Sequence, residues 1–232
     1  MREIALDTET TGLNPKSGHR VVEIGCVEML NHVATGEVYH VYLNPERDMP
    51  EEAFSVHGLS EEFLRGHSKF AEVVDGFLEF IGDDTLVIHN AQFDMGFLNA
   101  ELERAGHPAL QMDRAVDTVR MARQKFPGAQ ASLDALCRRF SIDNSNRELH
   151  GALLDARLLA DVYLELKGGR QTGLGLDTDA AASTETSDTA FNGEVQLQTQ
   201  QKREARIFTP SAEELARHEA FVETLTEPLW KA

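Results

Sequence analysis

The chain has 232 residues, and its 22 Lys and Arg residues against 39 Asp and Glu give a formal net charge of −17 at pH 7. Because 41% of the residues are apolar, the chain can build one sizeable core, which excludes wholesale disorder and repetitive fibres. The acidity disfavours a free-standing nucleic-acid binder that neutralises phosphates, but it is compatible with an enzyme that reaches phosphates through metal ions.

The first part of the chain is predicted to form an antiparallel meander. Alternating apolar residues predict strands at 2–9 and 38–43, and a run rich in Val and Ile predicts another at 20–30. A turn near Thr35 and Gly36 is expected to lead into the third strand.

Helical patterns follow, so the body of the chain is predicted to be mixed α/β. Short strands are expected at 85–89 and 116–119. Apolar residues three and four positions apart predict helices at 50–57, 60–66, 70–81, 91–105, 132–140 and 153–166.

The composition changes abruptly after Gly169. Residues 171–201 include no Lys or Arg and many Thr, Ala, Gln and Gly, which predicts a flexible linker over 170–208. Ser211 and Glu214 form a capping-box pattern, and apolar positions then trace one helix face towards Leu229 and Trp230. We therefore divide the chain into a domain at 1–169, a linker at 170–208 and a docking helix at 209–232.

No segment approaches the roughly 18 apolar residues of a membrane span, and the N-terminus lacks a signal-peptide core. We therefore expect a cytoplasmic protein. Cys26 and Cys137 lie within apolar patterns far apart in the sequence, which indicates reduced thiols in the core.

Two carboxylates stand on one face of the first strand. Asp7 and Glu9 are two residues apart, so both side chains point the same way. Two such charges 4 Å apart repel by about 4 kcal/mol at an effective dielectric constant of 20, so a cation would stabilise them. The alternative is a solvated strand end. Glu23 also interrupts apolar strand residues, and we interpret it as structural.

Two more acids interrupt apolar helix faces. Asp94 shares a face with Phe97, and Asp155 shares one with Leu158. Each lies in the expected first turn of its helix, where the helix dipole favours a negative charge. The alternative for either is an ordinary acid at an exposed helix start.

His150 precedes Asp155 by five residues, so the two cannot share a helix face. We place His150 on the loop before Gly151, where an imidazole next to carboxylates is suited to accept a proton from water. An ordinary histidine at a helix entry is the alternative. Oxygen ligands without a Cys or His cluster favour two Mg²⁺ or Mn²⁺ ions over zinc, and such a pair suits phosphodiester hydrolysis.

As a set, these residues resemble the histidine branch of the DEDD 3′-to-5′ exonucleases. The matching segments are Asp7-Thr-Glu9, His89-Asn-Ala-Gln-Phe-Asp94, and His150 followed by Asp155. The resemblance covers residues 3–167 and implies a ribonuclease H-like fold with a five-stranded mixed sheet flanked by helices.

The resemblance also implies roles for individual residues. Asp7, Glu9 and Asp155 would bind the metal ions directly, Asp94 would bind largely through water, and His150 would be the general base. Four further residues match family positions at the substrate, where Glu52 and His57 contact the terminal nucleotide and Thr8 and Thr10 flank the DNA 3′ end. A polar helix face is the alternative for Glu52 and His57.

Within that family, the order of the parts is most similar to proofreading subunits of bacterial replicative DNA polymerases. This implies that 209–232 docks on the polymerase alpha subunit, and it leaves open a small accessory subunit. The segment 171–176 resembles a sliding-clamp binding peptide with Gln171, Leu174 and Leu176 as anchors, although Leu176 stands where an aromatic residue is common. A plain linker is the alternative. Tethering would explain how an acidic protein works on DNA.

The sequence therefore predicts a metal-dependent exonuclease that releases 5′-monophosphates from DNA 3′ ends and proofreads for a replicative polymerase. A stand-alone exonuclease acting on tRNA ends or short oligoribonucleotides is one alternative. A non-catalytic adaptor between polymerase and clamp is another, although an inactive scaffold has no physical reason to keep buried like charges.

Overall fold

The computed structural model of the chain describes residues 1–145, 147, 149–169 and 210–224. The chain divides into two compact units, Met1–Asp177 and Thr178–Ala232. No helix in these described ranges is long and apolar enough to cross a membrane.

A five-stranded mixed sheet forms the centre of the first unit, as predicted, in the order β3-β2-β1-β4-β5. The first three strands form the antiparallel meander, β4 runs parallel to β1, and β5 runs parallel to β4. The C-terminal ends of β1 and β4 therefore meet at one end of the sheet. The strands are β1 (Arg2–Thr10), β2 (Val21–Leu30), β3 (Val33–Tyr42), β4 (Thr85–Ile88) and β5 (Ala115–Asp117).

Helices cover both faces of this sheet. On one face, α3 and α4 pack against Ile4 and Leu6 of β1, and on the other, α5, α6 and α7 surround Ala5. The sheet separates Cys26 in the first cluster from Cys137 in the second, and both are free buried thiols, as predicted. The helices of the first unit are α1 (Glu51–His57), α2 (Glu61–Leu64), α3 (Phe70–Ile81), α4 (Ala91–Ala105), α5 (Thr118–Lys125), α6 (Leu133–Phe140) and α7 (Ala152–Leu166).

The helix α7 lies against the sheet at a glycine. A Cβ atom on Gly25 would be 2.3 Å from the backbone carbon of Ala152 and from the backbone nitrogen of Leu153, so a side chain at this position would force the helix away. Gly25 is the register partner of Asp7 in β1. The close approach therefore brings the first turn of α7 near the carboxylate of Asp7.

Two sequence predictions about local structure are wrong. The hairpin between β2 and β3 turns at Asn31 and His32, whose φ angles of 51° and 70° are those of a tight two-residue turn. Thr35 and Gly36 lie inside β3, where the register with β2 shifts. Residues 116–119 are not all strand, because the Asp117 side chain caps a new helix, α5, that the sequence analysis missed.

The described part of the second unit is one helix, α8 (Ala212–Glu223). It begins with the predicted capping box, in which Ser211 and Glu214 bond each other's backbone N–H groups. The predicted continuation to Leu229 and Trp230 lies outside the described residues. So do the linker 170–208 and the clamp-binding anchors Gln171, Leu174 and Leu176.

Candidate active site

The C-terminal half of β1 supplies two carboxylates to one face of the sheet. Asp7 and Glu9 lie on the same side of β1 as Ala5, which is the side covered by α7. Glu9 is buried, whereas Asp7 keeps part of its surface open. The side chains of Asp7 and Glu9 therefore lie next to each other on the face of β1 that α7 covers, as their spacing predicted.

Asp94 reaches β1 from the first turn of α4. Its buried carboxylate accepts a hydrogen bond from the backbone N–H of Thr8 at 3.1 Å and another from the Thr8 hydroxyl at 2.7 Å. These bonds hold Asp94 at the position in β1 between Asp7 and Glu9. Thr8, predicted to flank the DNA 3′ end, is thus already engaged through its hydroxyl with Asp94.

Asp155 lies buried in the first turn of α7, where an arginine side chain binds it with two hydrogen bonds. Arg147 donates from Nε to Asp155 Oδ1 at 2.5 Å and from Nη2 to Oδ2 at 2.6 Å. It also donates to Asp134 at 2.8 Å. Arg147 is 7% exposed, so this guanidinium is a largely buried positive charge within the acidic cluster.

His150 lies on the loop before α7, outside the helix, as predicted. Its backbone N–H donates to the carbonyl of Val56 at 3.1 Å, which fixes the loop to α1. Its ring is 47% exposed, and Nδ1 lies 3.3 Å from Asp155 Oδ2. One ligand atom from each of Glu9, His150 and Asp155 lies within 4.8 Å of the other two.

All five predicted reactive residues line a single cavity of about 270 Å³. We call it the catalytic cavity, and its five reactive residues are Asp7, Glu9, Asp94, His150 and Asp155. Carboxylate oxygens are the ligands that Mg²⁺ and Mn²⁺ prefer, so this set of donors fits such ions.

The protein environment makes ionisation of this cluster unfavourable in the absence of a cation. Burial, together with neighbouring carboxylates, raises the pKa of Glu9 to about 8 and the pKa of Asp7 well above its usual range. Burial raises the pKa of Asp94 to about 7, against the opposing hydrogen bonds from Thr8. Burial also disfavours ionised Asp155, but hydrogen bonds from Arg147 and His150 outweigh it and lower the pKa of Asp155.

The metal-free protein is expected to lose stability as the pH rises. The folded-state pKa values of Glu9 and Asp94 exceed their ordinary values of 4.5 and 3.8. The folded state therefore binds more protons than the unfolded state, and the free energy of unfolding falls between about pH 4 and pH 8. Thermal unfolding in a chelator should give a lower Tm at about pH 8 than at about pH 6.

Glu9→Gln is the matched control, because it removes one of the titrating groups and should flatten the decline in Tm. A Tm of the chelated wild type that rises over this interval would contradict the assignment of raised pKa values.

A second cavity, of about 530 Å³, adjoins the catalytic cavity and shares Thr8, Glu9 and Phe93 with it. We call it the terminal-nucleotide cavity. Its lining contains all four residues that the sequence analysis assigned to the substrate, which are Thr8, Thr10, Glu52 and His57.

His57 is buried in that cavity with an unused donor. Its Nδ1 accepts a hydrogen bond from the backbone N–H of Leu59 at 3.0 Å, so Nε2 carries the proton of the neutral ring. Nε2 is buried and has no hydrogen-bond partner among the described residues. Burial lowers the pKa of His57, which favours this neutral form.

Arg147 is the residue of the site that the sequence analysis missed. It stands three residues before His150 and eight before Asp155, a spacing that predicts no contact because the intervening residues form a loop. The only signal in the sequence was its position in the segment that carries His150.

The chain is similar to known exonucleases in sequence and in structure. The exonuclease family RNase_T matches residues 4–163. The chain is 50% identical over 228 residues to DNA polymerase III subunit epsilon of Rickettsia felis, covering 97% of both chains. It is 43% identical over 242 residues to the protein of that name from Escherichia coli, covering 100% of this chain and 98% of the relative.

Two solved structures have the same fold. The nuclease domain of 3′hExo, a DEDDh family member bound to rAMP, matches with a TM-score of 0.62 at 17% identity, covering 72% of this chain and 92% of that one. Exonuclease X in complex with 5′-overhanging duplex DNA matches with a TM-score of 0.56 at 24% identity, covering 71% and 89%.

Proposed function

The chain belongs to the exonuclease family and, within it, to the DNA polymerase III epsilon subunits, and from this premise we propose which of its residues perform the reaction. The protein is a 3′-to-5′ exonuclease that proofreads for DNA polymerase III and uses divalent metal ions. The observation that carries our assignment is the meeting of four carboxylates and His150 in the catalytic cavity.

In this proposal the cavity binds two Mg²⁺ or Mn²⁺ ions. Asp7, Glu9 and Asp155 would hold them directly, and Asp94, whose Oδ1 is engaged by Thr8, would hold them through water. When bound, such a pair of ions supplies an activated water and stabilises the leaving oxygen. Arg147 holds Asp155 ionised in the metal-free protein, and because it donates to both carboxylate oxygens, direct metal binding by Asp155 requires the guanidinium to release at least one of them.

His150 is the proposed general base. Its ring reaches into the cavity next to Asp155 and remains about half exposed, so it can take a proton from the attacking water and release it to solvent. The hydrogen bond of its backbone to Val56 fixes the loop, and the contact between its Nδ1 and Arg147 Nη2 at 2.8 Å orients the ring.

We further propose that the terminal nucleotide of the DNA 3′ end occupies the terminal-nucleotide cavity. The unused Nε2–H of His57 and the carboxylate of Glu52 provide polar contacts there. Apolar neighbours such as Val56 and Phe93 provide surface for the sugar and base.

We also propose which partner each segment of the chain binds. The segment 209–232 would dock on the alpha subunit, 171–176 would bind the sliding clamp, and a small accessory subunit would bind the domain. The domain at 1–169 would then be tethered by the linker 170–208, in the cytoplasm, where its concentration near the polymerase is high.

A gel assay of 5′-labelled DNA with a mispaired 3′ end tests the reaction. Wild-type protein with Mg²⁺ or Mn²⁺ should shorten the strand stepwise from its 3′ end and release 5′-monophosphates, and chelator should stop the reaction. No shortening by folded protein, even with its polymerase present, would move the adaptor hypothesis to first place.

Deleting the chain after Gly169 is expected to keep hydrolysis and to abolish association with the alpha subunit. The reason is that, among the residues that the structure describes, those lining the catalytic and terminal-nucleotide cavities extend no further than Asp155. Size-exclusion chromatography with the alpha subunit measures association, and the gel assay measures hydrolysis. Loss of hydrolysis by folded truncated protein would mean that the tail belongs to the catalytic fold.

A further inference from the structure

A third cavity adjoins the catalytic cavity, and the proposed function leaves it unused. It has a volume of about 710 Å³, and we call it the α5 groove because α5 contributes four of its ten described lining residues. It shares His89 and Ser132 with the catalytic cavity, whereas the terminal-nucleotide cavity shares Thr8, Glu9 and Phe93 with it. The residues that the catalytic cavity shares with the α5 groove thus differ from those that it shares with the terminal-nucleotide cavity.

The α5 groove contains two arginine side chains that are unpaired within the described part of the chain. Arg120 and Arg123 are three residues apart in α5, so their side chains share a helix face, and both are exposed. Neither side chain makes a hydrogen bond or ion pair within the described part of the chain. By contrast, Arg20 and Arg147 are each bound to a buried carboxylate.

The rest of the groove lining also suits an anion. Asn90, Gln92 and Gln124 contribute side-chain amides. Asp117 is the single acid among the described residues of the lining, and its Oδ1 accepts hydrogen bonds from the backbone N–H groups of Asn90, Val119 and Arg120. Two arginines against one aspartate leave a local positive excess in a chain of formal net charge −17.

We propose that the α5 groove binds the phosphate backbone of the DNA strand being cleaved, on the 5′ side of the scissile bond. This rests on the proposed function, because the strand runs from the terminal-nucleotide cavity through the catalytic cavity only if the 3′ end is the substrate. Arg120 and Arg123 contact one phosphate each. Phosphate contacts position a strand without reading its sequence, which is what a proofreading enzyme requires.

The experiment compares full-length wild type with the double variant Arg120→Ala, Arg123→Ala on two substrates. One is a single-stranded 12-nucleotide DNA, and the other is the p-nitrophenyl ester of thymidine 5′-monophosphate, which has one phosphodiester and no upstream phosphate. Arg65→Ala is the matched control, because Arg65 is 72% exposed, pairs with Glu61 and lines none of the three cavities.

On the 12-nucleotide DNA, the double variant is expected to raise KM by about 10-fold or more, because two charge-assisted contacts are lost, with little change in kcat. The slope of log(kcat/KM) against log[salt] should become shallower by about 1.4, since each phosphate contact on a single strand contributes about 0.7. Arg65→Ala should behave as wild type on both substrates.

An unchanged KM and salt slope on the 12-nucleotide DNA would overturn the proposal. So would an equal loss on the mononucleotide ester, because the two arginines would then act on the catalytic cavity itself. Failure of wild type on both substrates would instead overturn the proposed function.

Discussion

Asp7→Asn is expected to reduce metal-dependent exonuclease activity by about 10⁴-fold or more, because the proposed metal pair loses one of its direct carboxylate ligands. The substitution should also raise the Tm of the metal-free protein. The Asp7 carboxylate is surrounded by Glu9, Asp94 and Asp155, and burial together with these charges raises its pKa well above the usual range. Replacing it with a neutral amide of the same size removes that repulsion.

Two measurements together test this prediction. Hydrolysis is followed on 5′-labelled DNA with a mispaired 3′ end, and Tm is measured in chelator and in Mg²⁺ or Mn²⁺. For the wild type, metal should raise Tm because ions bind the folded state, and for Asp7→Asn this increase should largely disappear. The matched control is Asp75→Asn, the same chemical change at a side chain that is 94% exposed.

Activity that survives Asp7→Asn would refute the two-metal assignment. Activity that is lost while the metal-induced increase in Tm remains would place the ions elsewhere in the cluster. The Tm in chelator is the more specific test of the geometry. Asp7→Asn should raise it, whereas Asp75→Asn should leave it unchanged, because Asp75 lies at the surface.

His150→Ala is expected to lower kcat by roughly 10²–10⁴-fold, the usual contribution of a general base, while leaving partner binding unaffected. KM should change little, because His150 lines the catalytic cavity and not the terminal-nucleotide cavity. Metal should still raise the Tm of the variant, since the four carboxylates remain in place. Single-turnover hydrolysis of labelled DNA measures the chemical step directly.

The pH profile separates a base from a merely structural histidine. In the wild type the rate should depend on deprotonation of the general base, and this dependence should vanish in His150→Ala. His107→Ala is the control, because His107 is absent from all three cavities. If His150→Ala kept the wild-type kcat and pH profile, another group would have to accept the proton.

Several parts of the fold were predictable because short-range patterns determine them. The bounds of α3 and α4 agree with the predicted helices at 70–81 and 91–105, since their apolar residues recur at helical spacing. The missed features depend on backbone conformations that side-chain periodicity does not encode. The turn at Asn31 and His32 needs positive φ at two residues, and α5 begins because Asp117 caps it.

Part of the site was likewise predictable from local patterns in the sequence. The sequence by itself determined that Asp7 and Glu9 share a face, because side chains alternate along a strand, and that Asp94 and Asp155 interrupt apolar helix faces. Family resemblance then supplied their roles. These roles stay predictions, as do those of the substrate-binding residues and of the clamp-binding segment.

Only the tertiary structure decided how these residues meet. Gly25 allows α7 to approach β2, the Thr8 hydroxyl binds Asp94 across 86 positions of sequence, and Arg147 binds Asp155 from a loop. Periodicity reports only which side chains share a face of one strand or helix. The distance between two faces is set by packing between elements remote in the chain, and here the absence of one Cβ atom brings them together.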